Sequence, residues 1–366
     1  MILKKNKYIK HFIALIILAS CATTSENMLV NSSTSEERSL RNFQGIFDYE
    51  SYTLDDLKSF QRIIDSGVLN QEQLRDTKLL INNYKKILSK KKYTLELKPD
   101  QQYSKELIEL IYKFGLPIQI SWNEKNKNPI SENLLTNKID GFCSSLYDDA
   151  IASINKEITR DSDSILVIYS KEYASFINAL KLNDSNLIAI EYNSTNYQEF
   201  SAKVLGIDLS EKRFKKISDL NPNQNIKFNP RSRTDLNQVL IFLKPQEYKS
   251  MIPALRYHGG SNFKYINFIS SMEGITDPKQ LLDYEDSWVP FSRNLTSKVK
   301  NDSGATLERF LALGALNEWL LIQILDQAGV QSAKINGVTG SLVFRSNSCT
   351  KRIIPLQKIS ADLFSS

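Results

Sequence analysis

The stretch Phe228–Ser270, FNPRSRTDLNQVLIFLKPQEYKSMIPALRYHGGSNFKYINFIS, decides how the rest of the chain is read. Its centre, Val239–Leu243, is the continuous apolar run VLIFL, the pattern of a strand buried on both faces. Lys244-Pro245 ends the run. Tyr248, Ile252, Leu255 and Tyr257 then recur at helical spacing, with Met251 beside them, and Gly259-Gly260 stops the helix. Tyr265–Ile269 reads as a second strand. A strand, a crossover helix and another strand require a parallel pair and predict an α/β domain. A polar approach, Arg231-Ser232-Arg233-Thr234-Asp235, precedes the first strand.

Working outward, similar units recur on the amino-terminal side. Tyr93–Leu97, Leu116–Trp122, Ile139–Ser144, Ile165–Ser170 and Leu187–Tyr192 have strand character. Helical periodicity covers Tyr103–Phe114, Leu146–Ile158, Tyr173–Leu182, Asn196–Leu205 and Asp208–Leu220. On the other side, Glu273–Ser292 reads as an irregular acidic loop containing Trp288-Val289-Pro290. Ala305–Ala328 reads as a long helix, and Leu342–Arg345 with Lys351–Leu356 as a hairpin after the turn Asn336–Gly340. Two rounds of βαβ with a carboxyl-terminal return predict a bilobed, periplasmic-binding-protein-like architecture. Ahead of it, residues 46–91 predict a helical hairpin. Thr53-Leu54-Asp55-Asp56 caps the first helix, Gly67 ends it, and Leu74, Leu79, Leu80, Tyr84, Ile87 and Leu88 line the second.

The amino terminus carries an export signal over residues 1–20. Lys4, Lys5, Lys7 and Lys10 precede the apolar segment Phe12–Leu18, which is too short to span a bilayer. Leu18-Ala19-Ser20-Cys21 resembles the bacterial lipobox. That resemblance implies lipidation of Cys21 and cleavage before it, with acyl chains as the anchor. Ala22, rather than Asp, after the lipidated cysteine implies the outer membrane. Residues 21–45 are rich in Ser, Thr and Asn and read as a flexible tether.

The formal charge of +6 comes largely from this signal. Without its four lysines, 43 basic residues face 41 acidic ones. No basic run is long enough for a nucleic-acid arm, so no nucleic-acid partner is expected. The mature chain has one histidine, His258, and two cysteines besides Cys21. A Cys/His metal site and a Ser-His-Asp triad are thereby disfavoured. Phosphate-loop, dinucleotide, nucleophile-elbow and zincin motifs are missing. The pairs Asp55-Asp56 and Asp148-Asp149 open helices, where negative charge suits the dipole. Glu285-Asp286, with Trp288 nearby, admits glycan chemistry only weakly, because adjacency in sequence does not set a separation across a sugar. No catalytic residue, cofactor or metal is expected. Cys143 and Cys349 are left as either a disulfide or two buried thiols.

Several segments, in order, resemble the LppC/LpoA family of lipoproteins that activate penicillin-binding proteins. They are Leu205–Arg213 (LGIDLSEKR), Arg231-x-Arg233-x-Asp235 with its strand, Pro253–Tyr257 (PALRY), Asp286–Pro290 (DSWVP), Arg309–Gly314 (RFLALG) and Ile335–Leu342 (INGVTGSL). The resemblance runs from about residue 139 to 358. It implies a type I periplasmic-binding fold, an outer-membrane anchor and stimulation of a class A penicillin-binding protein, with peptidoglycan as a further candidate partner. The family's opening strand is not found and its large helical-repeat domain is reduced to the hairpin, so an abbreviated first lobe is expected within residues 92–366. The second lobe is expected over about 160–292 plus 336–358. The alternative is a receptor for small, amino-acid-like molecules. Arg231, Arg233, Asp235, Trp288 and Arg309 stand out as structural or partner-binding residues. For Arg231, Arg233 and Asp235 a salt-bridged approach to the strand outweighs a partner surface.

Overall fold

The computed structural model describes residues 47–48, 54–97, 103–123, 134–158, 164–180, 187–222, 227–260, 263–295 and 306–361. The expected signal, Cys21 and the tether lie outside the described residues. Two compact units are present. The first contains helices α1 (Leu54–Asp65) and α2 (Gln71–Ser89), joined through the Gly67 turn at φ 69°. Phe60 and Tyr84 meet edge to face, with ring centroids 5.1 Å apart. No helix among the described residues is long and apolar enough to cross a membrane.

The second unit is built on a six-stranded sheet. In chain order its members are β4 (Ser164–Tyr169), β5 (Leu187–Glu191), β6 (Leu236–Phe242), β7 (Lys264–Asn267), β8 (Trp288–Pro290) and β12 (Leu356–Lys358). Their spatial order is β12-β8-β7-β6-β4-β5. All pairs are parallel except β8 with β12. Leaving β12 aside, the order reverses between β4 and β6, as in a doubly wound sheet. The sheet is thus α/β and parallel-dominated, consistent with a periplasmic-binding-protein-like fold. Val239–Leu243 is fully buried, so the run VLIFL is apolar because both faces of β6 are covered. Crossover helices α6 (Tyr197–Val204) and α7 (Ile207–Leu220) lead from β5 to β6, and α8 (Pro245–Gly259) from β6 to β7. Pro245 occupies the first turn of α8, where its missing N–H costs nothing.

Two smaller sheets complete the unit. Strands β2 (Tyr93–Leu97) and β3 (Ile118–Trp122) pair in parallel across helix α3 (Ser104–Phe114). Strands β1 (Phe47–Asp48), β9 (Ser332–Asn336), β10 (Ser341–Arg345) and β11 (Ser348–Ile353) form a four-stranded sheet in that order. Helix α4 (Leu146–Ile158) precedes β4, a four-residue helix α5 (Ala174–Ile177) follows it, and α9 (Leu307–Gln327) precedes β9.

The structure corrects four expectations. Within 336–358 only β12 joins the six-stranded sheet, because β10 pairs with β9 and β11 with β10. Ile139–Ser144 is a turn with a single bridge, Phe142 to Thr350, and Gly141 at φ 83° breaks any extended run. Tyr173–Leu182 contributes only a 3₁₀ turn and α5 among its described residues. Trp288–Pro290 lies in a strand, too short at three residues to show periodicity.

Candidate functional site

In a doubly wound sheet the crevice for ligands lies beyond the carboxyl ends of the strands, where the order reverses. Here that place lies beyond β4 and β6, and the chain's own side chains fill it. Phe268 is fully buried and stands at the centre. Its ring lies 4.9 Å from Phe242, 4.9 Å from Tyr147, 5.6 Å from Phe176 and 5.9 Å from Tyr173, centroid to centroid. Each spacing falls in the favourable range for aromatic pairs.

The polar groups beside these rings are engaged internally. The Ser170 hydroxyl donates to Glu247 Oε2 at 2.5 Å, and the Lys244 N–H donates to the same oxygen at 2.9 Å. The Tyr248 hydroxyl donates to the Ile241 carbonyl at 2.8 Å and accepts from the Leu243 N–H at 3.1 Å. Ser270 donates to the Leu243 carbonyl at 3.1 Å. The Tyr147 hydroxyl donates to Glu273. Burial pushes the Glu273 carboxyl up to about 7, with Glu308 and Glu172 adding to the rise and the Tyr147 hydrogen bond opposing it. The hydroxyls of Ser170, Tyr248, Ser270 and Tyr147 are therefore committed to the fold, the buried Ser271 hydroxyl has no partner among the described residues, and the flanking acid Glu172 is paired with the Lys244 ammonium at 3.3 Å. This end of the sheet is suited to packing rather than to receiving an amino acid's carboxylate.

The residues singled out in the sequence are dispersed. Arg233 and Asp235 form a two-pronged ion pair ahead of β6, at 3.0 and 2.5 Å. That hydrogen-bonded contact lowers the Asp235 carboxyl and raises the Arg233 guanidinium. The Arg233 N–H donates to the Leu205 carbonyl at 2.8 Å. The Arg233 stem lies so close to Gly206 that a Cβ there would stand 2.8 Å from its Cγ. Arg231 is exposed, and its N–H reaches the Ser210 hydroxyl at 3.3 Å. Arg309 lies on α9 and pairs with Glu106 of α3 at 3.3 Å. Trp288 lines a cavity at the opposite end of the sheet from the ring cluster, with the Lys264 ammonium 4.9 Å from its ring centre.

The structure also assembles a cluster that no single residue announced. Glu318, on α9, is fully buried. Its carboxylate accepts from the Thr339 N–H at 2.7 Å and hydroxyl at 2.5 Å. Arg352 of β11, with a side chain 1% exposed, reaches Asp149 of α4 at 3.1 Å and Glu318 at 3.5 Å. Burial raises both carboxyls, and the Arg352 charge acts against that rise. The guanidinium also lies over the Phe142 ring, 4.4 Å from its centre. Two glycines permit the approach. A Cβ on Gly337 would stand 2.3 Å from Glu318 Oε1, and one on Gly314 would stand 2.7 Å from Val338. The segments Arg309–Gly314 and Ile335–Leu342 thus meet through their small residues, which was the one trace of this cluster in the sequence. Beside it, Cys143 and Cys349 are joined in a disulfide across 206 residues, resolving the alternative the sequence left open.

No protein-family model matches the chain, and no curated protein sequence matches it. Among solved structures it is similar to full-length LpoA from Haemophilus influenzae, with a TM-score of 0.48 and 11% identity, over 83% of this chain and 64% of that one. A monoclinic form of the same protein gives 0.47 and 11% identity, over 84% and 65%. An ABC transporter substrate-binding protein from Desulfitobacterium hafniense, in complex with Leu, gives 0.37 and 10% identity, over 74% of this chain and 98% of that one. The chain therefore spans less than two thirds of the length of the LpoA structures.

Proposed function

We propose that the chain is a periplasmic lipoprotein, anchored in the outer membrane through Cys21, that binds a class A penicillin-binding protein and stimulates its peptidoglycan synthesis. The ordered LppC/LpoA-like segments from Leu205 to Leu342 carry this reading. The contact between two of them around Glu318 supports it, since residues distant in sequence share one physical role. The regulator works by protein contact and performs no chemistry of its own. A small-molecule receptor is the weaker reading, because Phe268 and its neighbouring rings occupy the crevice such a ligand would need.

Affinity capture tests the reading. Full-length chain incubated with detergent-solubilised membranes is expected to retain a class A penicillin-binding protein. Truncation from Tyr93 onward is expected to abolish that retention. Tight leucine binding without retention of any synthase would overturn the regulator. Replacing Cys21 by Ser is expected to move the protein from the membrane to the soluble periplasmic fraction.

A further inference from the structure

The amino ends of β6, β7 and β8 line an open cavity of about 750 Å³. Small-ligand sites span roughly 300–1,000 Å³. Its wall includes Arg256 from the last turn of α8, Lys264 of β7, Lys358 of β12, Asp286, Gln238 of β6 and Trp288 of β8. The cations outnumber the carboxylate, and most are already paired. Lys358 meets Asp286 at 2.8 Å, and Lys264 pairs with Glu157 while covering the Trp288 ring. Arg256 differs. Its Nη2 is buried and has no hydrogen-bond partner among the described residues. A buried donor left this way is unfavourable until a partner reaches it. Asp286 adds a second irregularity, holding φ at 61° although it is not a glycine. Residues held in uncommon backbone conformations cluster at binding sites.

We infer that this cavity binds a carboxylated sugar. The acid group meets Arg256, the hydroxyls meet the Lys358–Asp286 pair, and the ring's C–H surface takes the place of the Lys264 ammonium over Trp288. Phosphate fits less well. The carboxyl end of α8 points its partial negative charge toward the site, and Asp286 adds a full one, so a monoanion is favoured over a multiply charged group. The site stands apart from the synthase-regulator reading, which survives or falls on the capture experiment alone.

Calorimetric titration of the full chain tests it with two acids and their neutral counterparts: N-acetylmuramic acid against N-acetylglucosamine, and glucuronic acid against glucose. At least one acid is expected to bind about tenfold or more tightly than its counterpart, a difference of about 1.4 kcal/mol. Which acid does so identifies the source. Arg256→Gln is expected to remove the difference. Trp288→Phe is expected to weaken the acid, while Lys113→Gln, exposed on α3 and outside the cavity wall, leaves it unchanged. Should Arg256→Gln fail to fold, Trp288→Phe and the loss of the acid's advantage at high salt carry the test. The proposal is overturned if neither acid binds by about 10 mM, if acid and neutral sugar bind alike, or if both variants bind as the parent does.

Discussion

The six-stranded sheet and the four-stranded sheet beside it are closed by opposite chemistry. At the carboxyl ends of β4 and β6 closure is mainly apolar, with rings packed around Phe268, the Tyr248 and Ser270 hydroxyls bound to main-chain carbonyls and those of Ser170 and Tyr147 to carboxylates. Around β11 it is ionic, with Arg352 held between Asp149 and Glu318 and a disulfide alongside. The two solutions differ in how they fail. A ring cluster loses contact area in proportion to what is removed. A buried charge left without its partner is uncompensated, so the second region should respond all at once.

The largest effect should follow Arg352→Ala, which strands Glu318 in a site with no solvent access. A loss of about 3–5 kcal/mol is expected by urea unfolding. A cost under about 1 kcal/mol would place the carboxylates in water-like surroundings and break the comparison. Phe268→Ala should cost about 3–4 kcal/mol through lost burial and the cavity left behind. Phe268→Leu should recover most of that, as an apolar closure allows and an ionic one does not. Replacing Cys143 and Cys349 together by Ala should cost about 2–4 kcal/mol by releasing the long loop in the unfolded chain, read from the same unfolding curves.

The smallest effect is the one that depends on pH. Burial raises the folded Glu273 carboxyl to about 7, above the ordinary glutamate value of 4.5. The folded state therefore binds the proton more tightly than the unfolded state. Stability from this group is intact below about 4.5, falls as pH rises towards about 7, and stays lower above that. Glu273→Gln can still accept from Tyr147 and carries no charge. It should match the parent at pH 5 and exceed it by about 1–2 kcal/mol at pH 8. Equal melting temperatures of the two at both pH values would remove Glu273 from the account.

What the sequence disclosed follows the range of the forces involved. Local periodicity located β2, α4, β6 and α8 to within a few residues, because burial on a helix or strand repeats every few positions. It did not show that 341–353 belongs to a sheet with β1 and β9, because alternation such as that of β9 marks a strand without naming the strands it pairs with. It could not pair Cys143 with Cys349 or bring Arg352 to Asp149, both some 200 residues apart. The cavity at Trp288 was equally hidden, because its walls come from four strands and the end of a helix. Arg233 and Asp235 were legible as a pair because they are two residues apart and their side chains answer each other directly.

The central claim is that a fold with its ligand crevice filled serves a partner protein. The most direct test is the rate of glycan-strand synthesis by a purified class A penicillin-binding protein, with and without the full chain. The account predicts a saturable increase in rate that leucine does not alter. An unchanged rate at saturating chain, together with stoichiometric leucine binding, would contradict it.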